Sequence, residues 1–302
     1  MKILITGSNG LLGQKLTDLL APMQGVELIA TGKGKDRYPH SQHHYTYCTM
    51  DITNEAEVME VITQQQPDAI INSAAMTNVD QCEDEKEACW NLNVHAVENL
   101  VKAAETNNTF LLHLSTDFIF DGEDGPYAEE AIANPVSYYG ESKLAAEKLL
   151  QESNIDWAIA RTVLVYGIAH DMSRSNIILW VKGSLENKKH IRVVNDQWRT
   201  PTLAEDLAKG CYLIASQQAK GVFHLSGKDF LNPYQMAMMT ADFFSLDASL
   251  IEEVDASVFS QKAKRPPKTG FVIEKARKEL GYEPVSFQEG IELLAEQLQA
   301  NS

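Results

Sequence analysis

Lys2-Ile3-Leu4-Ile5-Thr6-Gly7-Ser8-Asn9-Gly10-Leu11-Leu12-Gly13 compresses a strand, a glycine turn and a helix start into twelve residues. The apolar run over 3–5 suits a strand buried on both faces, and from Leu11 the apolar residues recur at helical spacing as far as Leu20. Between them the glycines read G-x-x-G-x-x-G. They permit a tight turn, let backbone approach a pyrophosphate, and let the helix pack close to the strand. The helix N-terminus then offers unpaired N–H groups and partial positive charge to phosphate. A bare glycine pattern also fits a plain strand–helix turn; its place between a clear strand and a clear helix favours a dinucleotide cradle. Gly7, Asn9, Gly10, Leu11, Leu12 and Gly13 are the candidate cradle residues.

Outward from this unit, short β-branched runs over 26–31, 45–50, 69–72, 110–115 and 157–161 alternate with helical patterns over 55–65, 86–105 and 137–152. Strand–helix alternation predicts an α/β chain: a Rossmann-like, doubly wound parallel sheet occupying residues 1–165. Beyond 165 the rhythm becomes irregular. Helical stretches over 176–186, 203–216, 234–244, 273–280 and 287–299 enclose strand candidates at 191–194 and 222–225. Residues 166–302 therefore read as a smaller, partly interleaved α+β substrate lobe, with 203–216 packing back on the sheet.

The 302 residues carry 26 Lys and Arg against 42 Asp and Glu, a net charge of −16. A field of that sign repels phosphate and argues against nucleic acid or an anionic membrane as partner. Cys48, Cys82, Cys89 and Cys211 form no C-x-x-C pair and read as packing thiols in a reducing cytosol. The apolar run after Met1-Lys2 ends at Thr6-Gly7, too soon for a targeting core, and no run reaches membrane-spanning length. A cytoplasmic protein is expected. His40, His43 and His44 cluster in a polar loop without paired carboxylates, so no metal is expected.

The second strand bears on the cofactor. Dinucleotide domains that prefer NAD place an acid near its end, to bind the ribose hydroxyls. Here the sequence is Ala30-Thr31-Gly32-Lys33-Gly34-Lys35-Asp36-Arg37, with Gly32 and Lys33 where the acid would stand. Lys33, with Lys35 or Arg37, would attract a 2′-phosphate, although a solvated basic loop gives the same pattern. NADP(H) is expected, with NAD(H) allowed.

Tyr139 and Lys143, in Tyr138-Tyr139-Gly140-Glu141-Ser142-Lys143, lie four apart and share a helix face. An ammonium near a phenol stabilises phenolate and brings proton transfer within reach at neutral pH. Upstream, Ser115-Thr116-Asp117 ends a strand, where parallel sheets bind ligands, and a hydroxyl there can share a carbonyl with the phenol. His113, within that strand, is expected to face the packing of the sheet.

Together Gly7-Ser8-Asn9-Gly10-Leu11-Leu12-Gly13, Asn72-Ser73-Ala74-Ala75, Asn93, Ser115-Thr116-Asp117, Tyr139 and Lys143 resemble the extended short-chain dehydrogenases/reductases. Ser115-Thr116-Asp117-Phe118-Ile119-Phe120-Asp121-Gly122, Ala75-Met76-Thr77-Asn78-Val79-Asp80 and Asp196-Gln197-Trp198-Arg199-Thr200-Pro201-Thr202 are similar to dTDP-4-dehydrorhamnose reductases. The resemblance implies NADPH-dependent reduction of a nucleotide-linked 4-keto sugar. Tyr139 would donate the proton, Lys143 would lower its pKa and hold the nicotinamide ribose, and Thr116 would orient the keto oxygen. Asp51 and Ile52 would meet the adenine, Ala74 and Ala75 the middle of the cofactor, and Asn93 would support the site. Asp117 and Phe118 would border the sugar.

Two positions depart from the family pattern. Leu164 stands where Trp is usual in the substrate wall, and Arg199 where Gly is usual. Arg199 is expected either to meet an anionic part of the ligand or to hold its loop by a salt bridge. An epimerase or dehydratase of the same fold is a second expectation, weakened because Phe118 follows Asp117 where sugar-nucleotide dehydratases carry a second acid. A third is a non-catalytic NADP-binding subunit, because the β-subunit of methionine adenosyltransferase resembles this family too. A homodimer is allowed by the resemblance.

Overall fold

The structure is a computed structural model that describes residues 1–39, 44–170 and 175–300. In chain order the first half runs β1 (Lys2–Thr6), α1 (Leu11–Leu20), β2 (Glu27–Gly32), β3 (Thr46–Thr49), α2 (Glu55–Gln65), β4 (Ala69–Asn72), α3 (Val79–Asp84), α4 (Lys86–Trp90), a π-helical turn (Asn91–His95), α5 (Ala96–Asn107), β5 (Phe110–Thr116), α6 (Tyr138–Gln151) and β6 (Trp157–Thr162). There follow β7 (Val165–Tyr166), α7 (Ile177–Glu186), β8 (Ile191–Val194), β9 (Thr202–Leu203), α8 (Ala204–Gln217), β10 (Gly221–His224), α9 (Pro233–Phe243), β11 (Ile251–Val254), α10 (Glu274–Leu280) and α11 (Phe287–Ala300).

Seven strands form one parallel sheet in the order β10-β6-β5-β4-β1-β2-β3. From β1 the chain winds outward through β2 and β3, then returns to β4 on the other side of β1. That reversal opens a crevice beyond the C-terminal ends of β1 and β4, where doubly wound sheets bind ligands. Successive residues of each strand serve opposite faces. Ile3, Ile5, Ile71 and Leu112 pack with Leu16 and Leu20 of α1 and with Leu207, Cys211 and Ile214 of α8. Leu4, Ile70 and Leu111 pack with Val58 and Ile62 of α2, Leu100 of α5 and Leu150 of α6. Both faces are thus covered.

Polar residues placed ahead of apolar periodicity cap the helices: Asn54 for α2, Ser137 for α6 and Asn176 for α7 each accept from N–H groups of the first turn. Asn232 and Gln235 form a reciprocal capping box at α9. The strand expected over 222–225 is β10, which joins the large sheet beside β6. The strand expected over 191–194 is β8, and it pairs with β11, a strand not anticipated. The helix expected over 86–105 is broken by the π-helical turn at Asn91–His95.

Among the described residues no group of three or more His, Cys, Asp or Glu side chains could hold a metal ion; His40 and His43 lie outside them. No described helix is long and apolar enough to cross a membrane. The four cysteines carry free thiols.

Candidate active site

The crevice is a cleft of about 560 Å³ with the glycine turn on one wall. Gly7 has φ +67°, and a side chain there would press within 3.0 Å of the Ala74 backbone nitrogen. One at Gly13 would stand 2.5 Å from the Ser8 Cα, so the helix could not sit this close to the turn. Gly10 is the N-cap of α1 and supplies no side-chain cap, and the first turn holds no acid. The opening N–H groups of α1 therefore stay available to an anion. Two buried hydroxyls, Ser8 Oγ beside the turn and Ser115 Oγ on the cleft wall, have no hydrogen-bond partner among the described residues. A glycine cradle, an open helix terminus and unsatisfied hydroxyls together fit a dinucleotide.

Of the cradle residues expected from sequence, Gly7, Asn9, Gly10, Leu11, Leu12, Gly13, Ala74 and Ala75 line this cleft. Asn9 also ties the basic loop to the turn: its Nδ2 donates to the Lys35 carbonyl at 3.0 Å and its Oδ1 accepts from the Arg37 N–H at 2.8 Å. Lys33 is exposed, and its Nζ lies 2.8 Å from the Asp51 carboxylate. Ile52 is buried beside it, its carbonyl accepting from Asn99 at 3.0 Å. Asn93 sits in the π-helical turn, where Oδ1 accepts from the Met76 N–H at 2.8 Å and Nδ2 donates to the Ser142 hydroxyl at 3.0 Å. It thereby pins the segment after β4 to α6. Lys33, Asp51, Ile52 and Asn93 stand outside the cleft lining itself.

Thr116, Tyr139 and Lys143 meet in the cleft, from the end of β5 and the first turns of α6. Burial raises the Tyr139 phenol above its ordinary pKa and Asp117 adds to this; the Thr116 hydroxyl offsets only part of it, so the phenol stays protonated. Phe118 packs edge-on against the same ring, centroids 5.8 Å apart. Among the described residues no hydrogen bond joins Lys143 to that phenol. Its Nζ is bonded instead to the Leu114 carbonyl at 2.7 Å and to His113 Nε2 at 3.0 Å, and burial lowers its pKa to about 8.

Of the two expectations for Arg199, the structure matches the salt bridge and not the ligand contact. Its guanidinium is buried and donates to the carbonyls of Trp198 (2.8 Å), Pro267 (3.1 Å) and Pro266 (2.7 Å). Its Nε lies 3.6 Å from Asp117 Oδ2, which also accepts from the Thr269 hydroxyl. Asp117 lines the cleft yet is buried, and a carboxylate so desolvated needs a cation behind it. The salt bridge holding the loop is the arrangement observed.

Leu164 has φ +38° and is 42% exposed, and it lines both this cleft and a second cavity of about 630 Å³. Val165, Ser175 and Asn176 are shared as well; Ile177, Trp180, Arg192 and Phe259 belong to the second cavity alone. Thr162, Gly167 and Asn176 line the cleft without having been singled out from sequence, and Ser115 lines it too. Ser115 was legible as part of its motif. Asn176 showed only as a polar residue ahead of an apolar helix, the signature of the cap it also makes.

The chain matches the RmlD substrate binding domain over residues 1–300. It is 31% identical over 261 residues to methionine adenosyltransferase 2 subunit beta of Bos taurus, covering 85% of this chain and 76% of that one. It is 29% identical over 302 residues to dTDP-4-dehydrorhamnose reductase of Aggregatibacter actinomycetemcomitans, covering 96% and 97%. The crystal structure of dTDP-4-dehydrorhamnose reductase from Bacillus anthracis in complex with NADP superposes with a TM-score of 0.85 at 25% identity, covering 98% of this chain and 99% of that one.

Proposed function

The chain belongs to the RmlD substrate binding domain family, a group of extended short-chain dehydrogenases/reductases, and from that premise we propose that it reduces the keto group of a nucleotide-linked 4-keto sugar with NADPH. The observation that carries this reading is the meeting of Thr116, Tyr139 and Lys143 in one cleft with the glycine cradle. When bound, the cofactor supplies hydride to the carbonyl carbon. The chain's own residues handle the rest. The glycine turn and the N–H groups opening α1 would hold the pyrophosphate, and Lys33 at the end of β2 would favour a 2′-phosphate. NAD(H) remains an allowed substitute. Thr116 Oγ1 and the Tyr139 hydroxyl, which line the same cleft, would both bond the keto oxygen, and the protonated phenol would deliver its proton as charge develops there. Lys143 would bind the nicotinamide ribose.

Asp117 and Phe118 would border the sugar, and Leu164 would stand between the sugar and the apolar cavity beyond it. That cavity, with Trp180, Phe259 and the cation Arg192, has the aromatic surface and the charge that a nucleotide needs. The chain's own location would be cytoplasmic and its assembly a homodimer.

A second reading is favoured by the match to methionine adenosyltransferase 2 subunit beta: an NADP-binding subunit that regulates another enzyme. NADPH consumption against a panel of nucleotide-linked 4-keto sugars separates the two. Turnover on one of them supports the reductase. Tight NADPH binding without any turnover, together with a change in the activity of a methionine adenosyltransferase on mixing, supports the regulatory reading and removes the first.

A further inference from the structure

Behind Lys143 lies a file of buried polar groups that the proposed chemistry leaves unused. His113, in the middle of β5, is 1% exposed. Its Nε2 is 3.0 Å from Lys143 Nζ, and its Nδ1 is 3.0 Å from the Asn72 carboxamide nitrogen at the end of β4. Asn72 Oδ1 accepts from the Thr6 hydroxyl at 2.6 Å, and Thr6 Oγ1 in turn accepts from the N–H of Ala74, a cleft residue, at 3.3 Å. The file thus runs from the cofactor cradle to Lys143 beneath the floor of the cleft.

His113 is the side chain on which Lys143 depends. Among the described residues no carboxylate forms an ion pair with it; Glu147, one turn along α6, is committed to Arg161 at 2.7 Å. Glu147 on its own helix and Cys89 from α4 bear on the charge of Lys143, which in turn acts on the His113 ring of β5. Burial and the ammonium together keep the imidazole neutral. A neutral imidazole has one donor nitrogen and one acceptor. If Lys143 is an ammonium it donates to Nε2, and Nδ1–H must then donate to a carboxamide turned oxygen-inward. If Lys143 is an amine, Nε2–H donates to it, and Nδ1 accepts from the Asn72 amide. Heavy-atom positions serve both arrangements equally.

We propose that His113 is a positioning residue that fixes Lys143 in the cleft and couples its charge to the imidazole tautomer and the Asn72 carboxamide. This rests on the reading given above, in which Tyr139 delivers the proton and Lys143 holds the nicotinamide ribose beside it. The acceptor at Nε2 stabilises the ammonium, so its loss moves Lys143 toward the amine.

The test needs neither cofactor nor substrate. The full chain is prepared with lysine carrying ¹³C at Cε and histidine carrying ¹⁵N, and both signals are followed by NMR as the pH is raised. In the wild type the Lys143 Cε signal titrates near 8, and the ring nitrogens of His113 change over the same interval while the ring stays neutral. In His113→Leu the Lys143 midpoint falls by about one pH unit or more, a tenfold or greater loss of proton affinity. His113→Gln returns an acceptor and restores most of it. If His113→Leu does not fold, the wild-type nitrogen signals and the His113→Gln midpoint decide. Nitrogen signals that stay flat while Lys143 titrates, or a midpoint that does not move in the variants, overturn the proposal. Once a substrate is found, the alkaline limb of kcat should move with the Lys143 midpoint, whereas a merely structural loss lowers kcat equally at every pH. Failure of the reductase reading would show separately, as no turnover with the coupled titration intact.

Discussion

Replacing Arg199 by Met distinguishes a cation that serves the ligand from one that serves the fold. The substitution keeps an unbranched side chain in the space and removes the charge and every donor. The Pro266 carbonyl loses its donor, whereas those of Trp198 and Pro267 each lose one of two donors and keep the N–H of Thr269 and of Trp198. Asp117 keeps only hydroxyl and backbone partners in a buried site. Removing one member of a buried pair costs about 3–5 kcal/mol, because the other charge is left without compensation. Unfolding entropy for 302 residues is about 0.6 kcal/mol per kelvin, so the melting temperature should drop by about 5–8 °C. The pH dependence carries a sign. Burial already raises the Asp117 pKa against the pull of Arg199, and without Arg199 it rises further. A carboxyl whose folded pKa lies above its unfolded value stabilises the fold below the unfolded pKa and loses that contribution as pH rises through the folded one. The deficit should therefore be smaller at pH 5 than at pH 8. Differential scanning calorimetry at both values measures it, and Asp117→Asn combined with Arg199→Met should recover part of the loss. A variant that melts within 1 °C of wild type at both pH values, yet shows a raised KM, would refute the structural role and return Arg199 to the ligand.

Tyr139→Phe should lower kcat by about 10²–10⁴, the range for a general acid, while NADPH binding followed by nicotinamide fluorescence stays nearly unchanged; full activity would remove the phenol from the chemistry. Lys33→Asp breaks the bond to Asp51 and places two carboxylates together at the end of β2, so NADPH should bind about tenfold or more weakly and NADH equally or better, as titration calorimetry would show. Gly13→Ala must push α1 away from the glycine turn, and loss of NADPH binding larger than the loss of melting temperature is the expected pattern.

The sheet was legible because its strands are buried on both faces. Runs such as Ile3-Leu4-Ile5 and Ala69-Ile70-Ile71 have no polar position for solvent, and a chain of such runs separated by helices has few other folds available. The strand Ile251–Val254 was not legible: Ile251 is its one buried residue, and Glu252 and Glu253 face solvent. Nor was the π-helical turn. The pattern over 86–105 is helical throughout, and the irregularity exists to bring Asn93 onto Met76 and Ser142, contacts far away in sequence. At the site, the glycine turn, Thr116, Tyr139 and Lys143 were legible because local spacing fixes their faces. Arg199 stayed between two readings for a related reason. A cation beside a ligand and a cation behind a buried acid look alike in sequence, and only the fold brings Pro266, Pro267 and Asp117 around it. His113 was correctly expected to face inward, but its partners Asn72 and Lys143 come from different elements.

The withdrawal of Arg199 changes the electrostatics of the substrate side. With its guanidinium spent on Asp117 and three carbonyls, the cation on the wall of the adjoining cavity is Arg192, set over the Phe259 ring at 5.4 Å to the centroid. On the proposed reading, an anionic part of the substrate would be drawn away from the reacting end of the cleft and past Leu164. That residue is held at φ +38° with its carbonyl accepting from the Thr202 N–H at 3.2 Å. A leucine in that region costs of order 1–3 kcal/mol, which persists only where surrounding contacts impose it, and such sites cluster where ligands are clamped. The strain therefore sets the side chain at the passage between the two cavities instead of letting it fold back onto the core. A side chain there selects by width: an aliphatic residue leaves room for a bulkier or differently turned sugar than an aromatic ring would. On the proposed reading, specificity would be a matter of shape at Leu164 and charge at Arg192, while the proton chemistry would stay with Thr116 and Tyr139 on the other side of the passage.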